Sequence, residues 1–151
     1  MALSVSAIRS RVQAQVTADM TGWRASKFAV DLFGRSSRQT KHKSFAIGVG
    51  GSEPSPLLQR QRLADGVRVD TSLMVRFAYR VRVDNQLTDY DSALDGEQSI
   101  IQAVLATSRT DLHIELGNIA TRQVVQEPGT SVAYFLGEVV FRASHRLALA
   151  A

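Results

Sequence analysis

Between residues 67 and 83 apolar and polar side chains alternate. Val67, Val69, Thr71, Leu73, Val75, Phe77, Tyr79, Val81 and Val83 take the odd positions, while Arg68, Asp70, Ser72, Arg76, Arg80 and Arg82 hold most of the even ones. A period of two predicts a strand with one face against a core, whereas a helix would scatter these apolar groups around its circumference. At roughly 3.3 Å per residue the stretch spans on the order of 50 Å, more than a small domain is wide. The expectation is that part of it projects beyond the sheet or pairs with another subunit. Arg68, Arg76, Arg80 and Arg82 make its polar face a candidate contact surface, although solvated charges that guard a sheet against edge pairing would look the same.

Upstream, Leu3, Val5, Ile8, Val12 and Val16 recur at mostly three- and four-residue spacing, which predicts an amphipathic helix over residues 2–18, closed by Thr21-Gly22. Alternation resumes over 23–33 with Phe28, Val30 and Leu32 on one side, and again over 44–49. The polar stretch 34–43 between them has no acid, so a hairpin with a long basic arm is the simplest arrangement. Glycines and prolines make 48–63 irregular, with a short helical turn after Leu57; loops are expected at about 34–43 and 50–63.

After the polar turn Asp84-Asn85-Gln86, a second helix is expected from about residue 88 to 106. Thr88 or Asp89 would cap it, and Tyr90, Ala93, Leu94, Ile101, Val104 and Leu105 would form its buried stripe. Gly96 inside it costs about 1 kcal/mol against Ala with no reason visible in the sequence. A strand follows at 112–116, resuming through 119–125, then a turn at 127–130. The last strand, 131–143, is apolar on both faces and therefore central, and residues 145–151 form a loosely held tail. These elements make a single α+β domain over 1–151: a largely antiparallel sheet of four to five strands with two main helices on one side.

A chain of 151 residues can bury roughly two-thirds of the surface exposed by its unfolded form, so it needs neither metal nor disulfide to fold. It has no cysteine, which excludes disulfide scaffolds, thiolate zinc sites and cysteine nucleophiles. No apolar run approaches the length of a membrane span and no leader pattern opens the chain, which reads as soluble and cytoplasmic where it is made. The net charge of +4 is uneven. Residues 1–43 carry eight Lys or Arg against Asp19 and Asp31, a balance of +6, and the remainder carries ten against twelve acids, a balance of −2. Such asymmetry points to an acidic protein surface or to nucleic acid.

Catalytic chemistry finds no foothold in this pattern. Asp89, Asp91, Asp95 and Glu97 cluster where the positive end of the second helix favours carboxylates, with no His beside them, so a helix-terminus role accounts for them better than acid-base or metal chemistry. His42, His113 and His145 lack metal-ligand spacing, no serine sits in a nucleophile elbow, and Gly48, Gly50 and Gly51 match no phosphate-binding loop. No catalytic residue, metal or cofactor is expected, and the chain reads as a non-enzyme.

The run Val69-Asp70-Thr71-Ser72-Leu73-Met74-Val75-Arg76-Phe77-Ala78-Tyr79-Arg80-Val81-Arg82, followed by Asp89-Tyr90-Asp91-Ser92-Ala93-Leu94-Asp95-Gly96-Glu97-Gln98-Ser99-Ile100-Ile101, resembles the tail terminator proteins of long-tailed bacteriophages, and the layout is compatible over nearly the whole chain. The resemblance implies a structural virion protein of the tail and neck region, assembled in the host cytoplasm. Such a protein would form a ring, commonly a homohexamer, on the end of the tail tube, stop its polymerisation and present a joining surface to the head-tail connector protein. Its partners would be its own copies, the tube protein and the connector, with passing contact to DNA and none with membrane. No family residue carries a chemical role that transfers to a position here. Charge and loop layout supply the candidate interface: Arg35, Arg38, Lys41 and Lys43 of the basic arm, Arg76, Arg80 and Arg82 of the long strand, and Asp89, Asp91, Asp95 and Glu97 of the helix. A head-side adaptor of the phage neck, or a basic nucleic-acid-binding module, is the alternative. The basic arm lacks the interleaved aromatics of single-strand binders.

Overall fold

The computed structural model describes residues 3–26, 42–54, 67–126, 129 and 131–147. Helix α1 (Val5–Asp19) leads into a short strand β1 (Arg24–Ala25), followed by β2 (Ser44–Pro54) and β3 (Val67–Val81). A single 3-10 turn (Val83–Asn85) opens directly into α2 (Gln86–Leu105), after which β4 (Leu112–Gln126) and β5 (Ala133–Leu147) complete the chain. The five strands form one sheet in the order β1-β2-β3-β5-β4, antiparallel except for the β1–β2 pair. This is an α+β fold.

Why these segments take these forms follows from side-chain placement. In α1, the Ser4 hydroxyl accepts a hydrogen bond from the Ala7 amide at 3.1 Å, satisfying one of the donors that every helix start leaves open. Four-residue spacing then buries Ile8, Val12 and Val16 completely. In the sheet, odd positions of β3 and β5 share one face, so Leu73, Val75, Phe77, Phe135, Val139 and Phe141 meet the apolar stripes of α1 and α2 in a single core. The opposite face carries cross-strand polar pairs, Arg76 with Glu138, Arg142 with Glu115 and Ser144 with Asp70, and a small buried cluster of Ala46, Ala78, Tyr134 and Leu136.

Several expectations are corrected. The hairpin between the first two strands is replaced by a parallel pair, Arg24 beside Ser44 and Ala25 beside Phe45. The pair is held by the Arg24 amide donating to the Lys43 carbonyl at 2.9 Å and the Ser26 amide donating to the Phe45 carbonyl at 2.8 Å, and the Trp23 ring just before it lies 6.1 Å from both Phe77 and Tyr79. Residues 27–33 of the expected first strand, and the loop 34–41, lie outside the described residues. Strand β2 does not stop at Val49. A bulge between Val49 and Ser52 absorbs the glycines, and β3 continues the ladder to Pro54; the rest of the expected irregular stretch, 55–63, is outside the described residues.

The long strand does not project. Every residue of β3 is paired, from Val67 with Leu147 to Val81 with Ala133, because β5 is equally long. The C-terminal stretch is correspondingly tied down through Leu147. The Leu3 amide donates to the Arg146 carbonyl at 2.7 Å, and His145 is buried with its Nε2 at 2.8 Å from Thr71 Oγ1, itself 2.8 Å from Ser52 Oγ. Residues 148–151 of the expected tail are outside the described residues. Strand β4 is continuous across the expected break, with register shifts at Leu116/Asn118 and Ile119/Thr121.

Helix α2 begins at Gln86, with Asn85 at its N-cap making no side-chain capping bond, so neither Thr88 nor Asp89 is the cap. Its buried stripe is Asp89, Ala93, Gly96, Glu97, Ile100, Ala103 and Val104, whereas Tyr90 is 38% exposed and Leu94, Ile101 and Leu105 pack at the rim. A hydrophobicity pattern cannot find a stripe that contains two acids and a glycine. Gly96 is there because Trp23 crosses it: a Cβ would stand 2.7 Å from the indole Cζ2.

Two measurements test this packing. A Cβ at Gly137 would overlap the fully buried Phe77 ring. Gly137→Ala is expected to lower the urea-unfolding free energy by about 1–3 kcal/mol, the usual cost of overpacking. Burial holds the imidazoles of His145 and His42 below their ordinary value of 6.5. The unfolded chain therefore takes up protons that the folded one refuses. Stability is unaffected above about pH 6.5 and falls as the pH drops through that value toward the folded pKa. Urea midpoints at neutral and mildly acidic pH should show the loss, and His145→Gln should reduce it.

Candidate assembly surface

The charged residues that the sequence nominated separate into three groups. Arg35, Arg38 and Lys41 lie outside the described residues. Arg76, Arg82, Asp89 and Glu97 are engaged within their own subunit. Lys43, Arg80, Asp91 and Asp95 remain at the surface or at its margin.

The second group is built by register and helix phase. Arg76 stands directly across from Glu138 in the β3–β5 ladder, and their side chains meet at 2.7 Å. Arg82 leaves the end of β3 just before the chain turns into α2. Both its backbone amide, at 2.8 Å, and its guanidinium, at 3.0 Å through Nε and Nη2, donate to the Asp89 carboxylate. That carboxylate is 3% exposed. The Arg82 bonds hold Asp89 below the usual carboxylate range and push the Arg82 pKa up. Farther along α2, Glu97 is 4% exposed and receives Arg122 of β4 through three hydrogen bonds of 2.7–3.1 Å, which raise the arginine pKa. Asp89 does lie in the first turn of α2, as the helix-terminus reading expects, but its carboxylate is taken by Arg82, while Glu97 sits in the middle of the helix, away from its terminus. They are the two points where α2 is fastened to the sheet.

Among the remaining residues, Arg80 is exposed, and its backbone amide donates to His42 Nδ1 at 3.0 Å while the His42 ring packs edge-on to Tyr79 at 4.6 Å. Asp91 and Asp95 are exposed on α2. Asp95 and Lys43 line the same shallow cleft of about 290 Å³ with Asp19, Trp23 and Tyr79, so the end of the basic arm lies beside the acidic helix of its own subunit. The sequence reading passed over Glu138 and Arg122 as partners. Alternation along β5 and β4 signals which face each occupies, but their partners are 62 and 25 residues away and only the register joins them.

Among the described residues no group of three His, Asp or Glu could hold a metal ion. His113 contacts Glu115 at 3.2 Å at the surface, and His145 is enclosed with its Nδ1 unpartnered among the described residues. No described helix is long and apolar enough to cross a membrane. In comparisons with known proteins, no family model and no curated protein matches the chain.

The two ion pairs are asymmetric, with buried carboxylates and guanidiniums about half exposed, and this sets the outcome of breaking them. Arg122→Ala strands the Glu97 charge and should cost about 2 kcal/mol, less than the ~3–5 kcal/mol of a fully buried pair because the guanidinium is partly in water. Glu97→Gln releases the arginine to solvent and should cost about 1 kcal/mol. Urea denaturation of both variants at pH 7 checks the order.

Proposed function

We propose that this chain is a structural subunit of the tail-terminator kind: a virion protein that closes into a ring, a hexamer by the resemblance, on the end of a phage tail tube. There it ends tube growth and offers the joining surface for the head-tail connector. The reading rests on the resemblance of the stretches at residues 69–82 and 89–101. The observation that carries it is the one-sided build of the sheet, with both helices in one core on one face, which is the architecture the resemblance implies. In this reading the protein is not an enzyme. Its partners are its own copies, the tube protein and the connector, and it is assembled in the host cytoplasm.

A ring needs two different patches that meet head to tail and close. Since Asp89 and Glu97 are taken by Arg82 and Arg122, the acids left for a neighbour are Asp91 and Asp95. The basic run of Arg35, Arg38, Lys41 and Lys43 is their complement by sequence, on the neighbouring subunit or on the tube below. Arg80 adds a further surface cation.

Light scattering on a sizing column across a concentration series, with negative-stain imaging of each peak with and without tail tubes, tests the proposal. Closed rings, or a monomer that becomes a ring on tubes, are the expected result. Asp91→Lys with Asp95→Lys, and Arg38→Glu with Lys41→Glu, should each weaken assembly by on the order of tenfold or more, with partial recovery when the two reversals are mixed. A subunit that ignores tubes but binds DNA with a steep salt dependence would replace this reading with the nucleic-acid one.

A further inference from the structure

The chain exposes a group of apolar side chains where β3 hands over to α2. Val83 is 65% exposed and Leu87 75%, and their four-residue spacing sets them on one side of the 3-10 turn and the helix it opens into. Tyr90, 38% exposed, follows one turn later and packs on Phe135 at 5.4 Å, and Val124, 49% exposed, stands opposite Phe135 in the β4–β5 ladder. Asp84 and Asp91, both exposed, lie one turn before and one turn after Leu87, so carboxylates rim the patch on its helix side. Arg82, next to Val83, and Arg122, two residues from Val124, are already neutralised by Asp89 and Glu97. Single apolar side chains are ordinary on a surface, whereas a group of them with a charged rim marks a contact with another molecule.

The sequence holds a segment of matching chemistry at residues 57–63. Leu57, Leu58 and Leu63 are apolar, Arg60 and Arg62 are cationic, and no acid occurs between Glu53 and Asp65. Where this segment is attached decides whose patch it can meet. Pro54 pairs with Val69 and Val67 pairs with Leu147, so residues 55–66 leave and rejoin the sheet at the same end. A loop that returns to its start reaches no farther than half its contour, about 20–25 Å for a stretch of this length. Val81, at the other end of β3, lies about 45 Å from Val67 at the rise of a strand, and the patch begins two residues beyond it. The segment therefore falls short of the patch on its own chain and can meet it only on another copy.

We propose that residues 57–63 of one copy dock on the patch of Val83, Leu87, Tyr90 and Val124 of the next, with the leucines on the apolar centre and Arg60 and Arg62 toward Asp84 and Asp91. Donor and receptor lie at opposite ends of one sheet, so the contact is head to tail, and it repeats from copy to copy until it closes as a ring or continues as a filament. The inference rests on the ring reading only for that closure; the contact itself follows from the patch and from the reach of the segment. Of its parts, only Asp91 is also called on by the basic run 35–43 in that reading.

The chain has no cysteine, so introduced thiols report the contact without background. Full-length Leu58→Cys and Leu87→Cys variants, mixed and treated with a short bismaleimide, should give a covalent dimer joined between positions 58 and 87, identified by peptide mass spectrometry. A chain carrying both substitutions should link into multimers and, at high dilution, not within itself. Arg60→Glu with Arg62→Glu should lower the yield of the mixed dimer by on the order of tenfold, and Asp84→Arg with Asp91→Arg on the other copy should restore part of it. A mixed pair that does not link overturns the proposal, as does a link within one chain at high dilution, or linkage of each variant to itself in excess of the mixed product. Rings that cap tubes without this link overturn it and leave the ring reading standing, whereas linked filaments that ignore tubes support it and remove the terminator reading.

Discussion

The full-length pairing of β3 with β5 is the constraint on which the other parts depend. It joins residues separated by up to 80 positions in the chain, Val67 with Leu147, and aligns the odd positions of both strands on one face. The core is then a matter of covering that face, and α1 and α2 do so with Ile8, Val12, Val16, Ala93, Ile100 and Val104. Such pairing forms only after a long loop has been closed, which makes it slow to form and expensive to lose locally. The N-terminus is stitched to the same ladder through the Leu3 amide and the Arg146 carbonyl, so both ends of the chain report on one pairing.

Charge in this protein divides between fastening and display. Asp89 and Glu97 are eight residues apart on one face of α2, and each meets an arginine from the sheet, Arg82 at the end of β3 and Arg122 in β4. Together they fix the helix's rotation, which apolar packing alone leaves soft because the stripe consists mainly of small residues and one glycine. The consequence for function is a reduction: half of the acids that seemed free to meet a neighbour are spent on the fold. Asp91 and Asp95, on the outer side of the same helix, keep their charge at the surface.

The sheet is unequally finished at its two edges. On one, a parallel strand of two residues is anchored by Trp23 under α2. On the other, β4 pairs with β5 along its length and is the outermost strand of the sheet.

Alternation with a period of two was enough by itself to identify the long strand and to put Val75 and Phe77 inward, because strand geometry is local and repeats every second residue, and apolar residues on both faces placed the last strand in the sheet's interior. Four-residue spacing likewise determined the buried face of α1. What the tertiary structure decided are matters of register, direction and phase. Nothing in the sequence states that residues 24–25 run parallel to 44–45, since alternation with a period of two is the same in either direction. The long strand's apparent overhang vanished because a second strand of equal length lay some 60 residues downstream in the ladder, as Arg76 and Glu138 show. The acidic cluster on α2 was legible as a cluster and illegible as two staples and two surface charges. A carboxylate's role depends on which cation the fold brings within about 3 Å, and sequence distance does not carry that information.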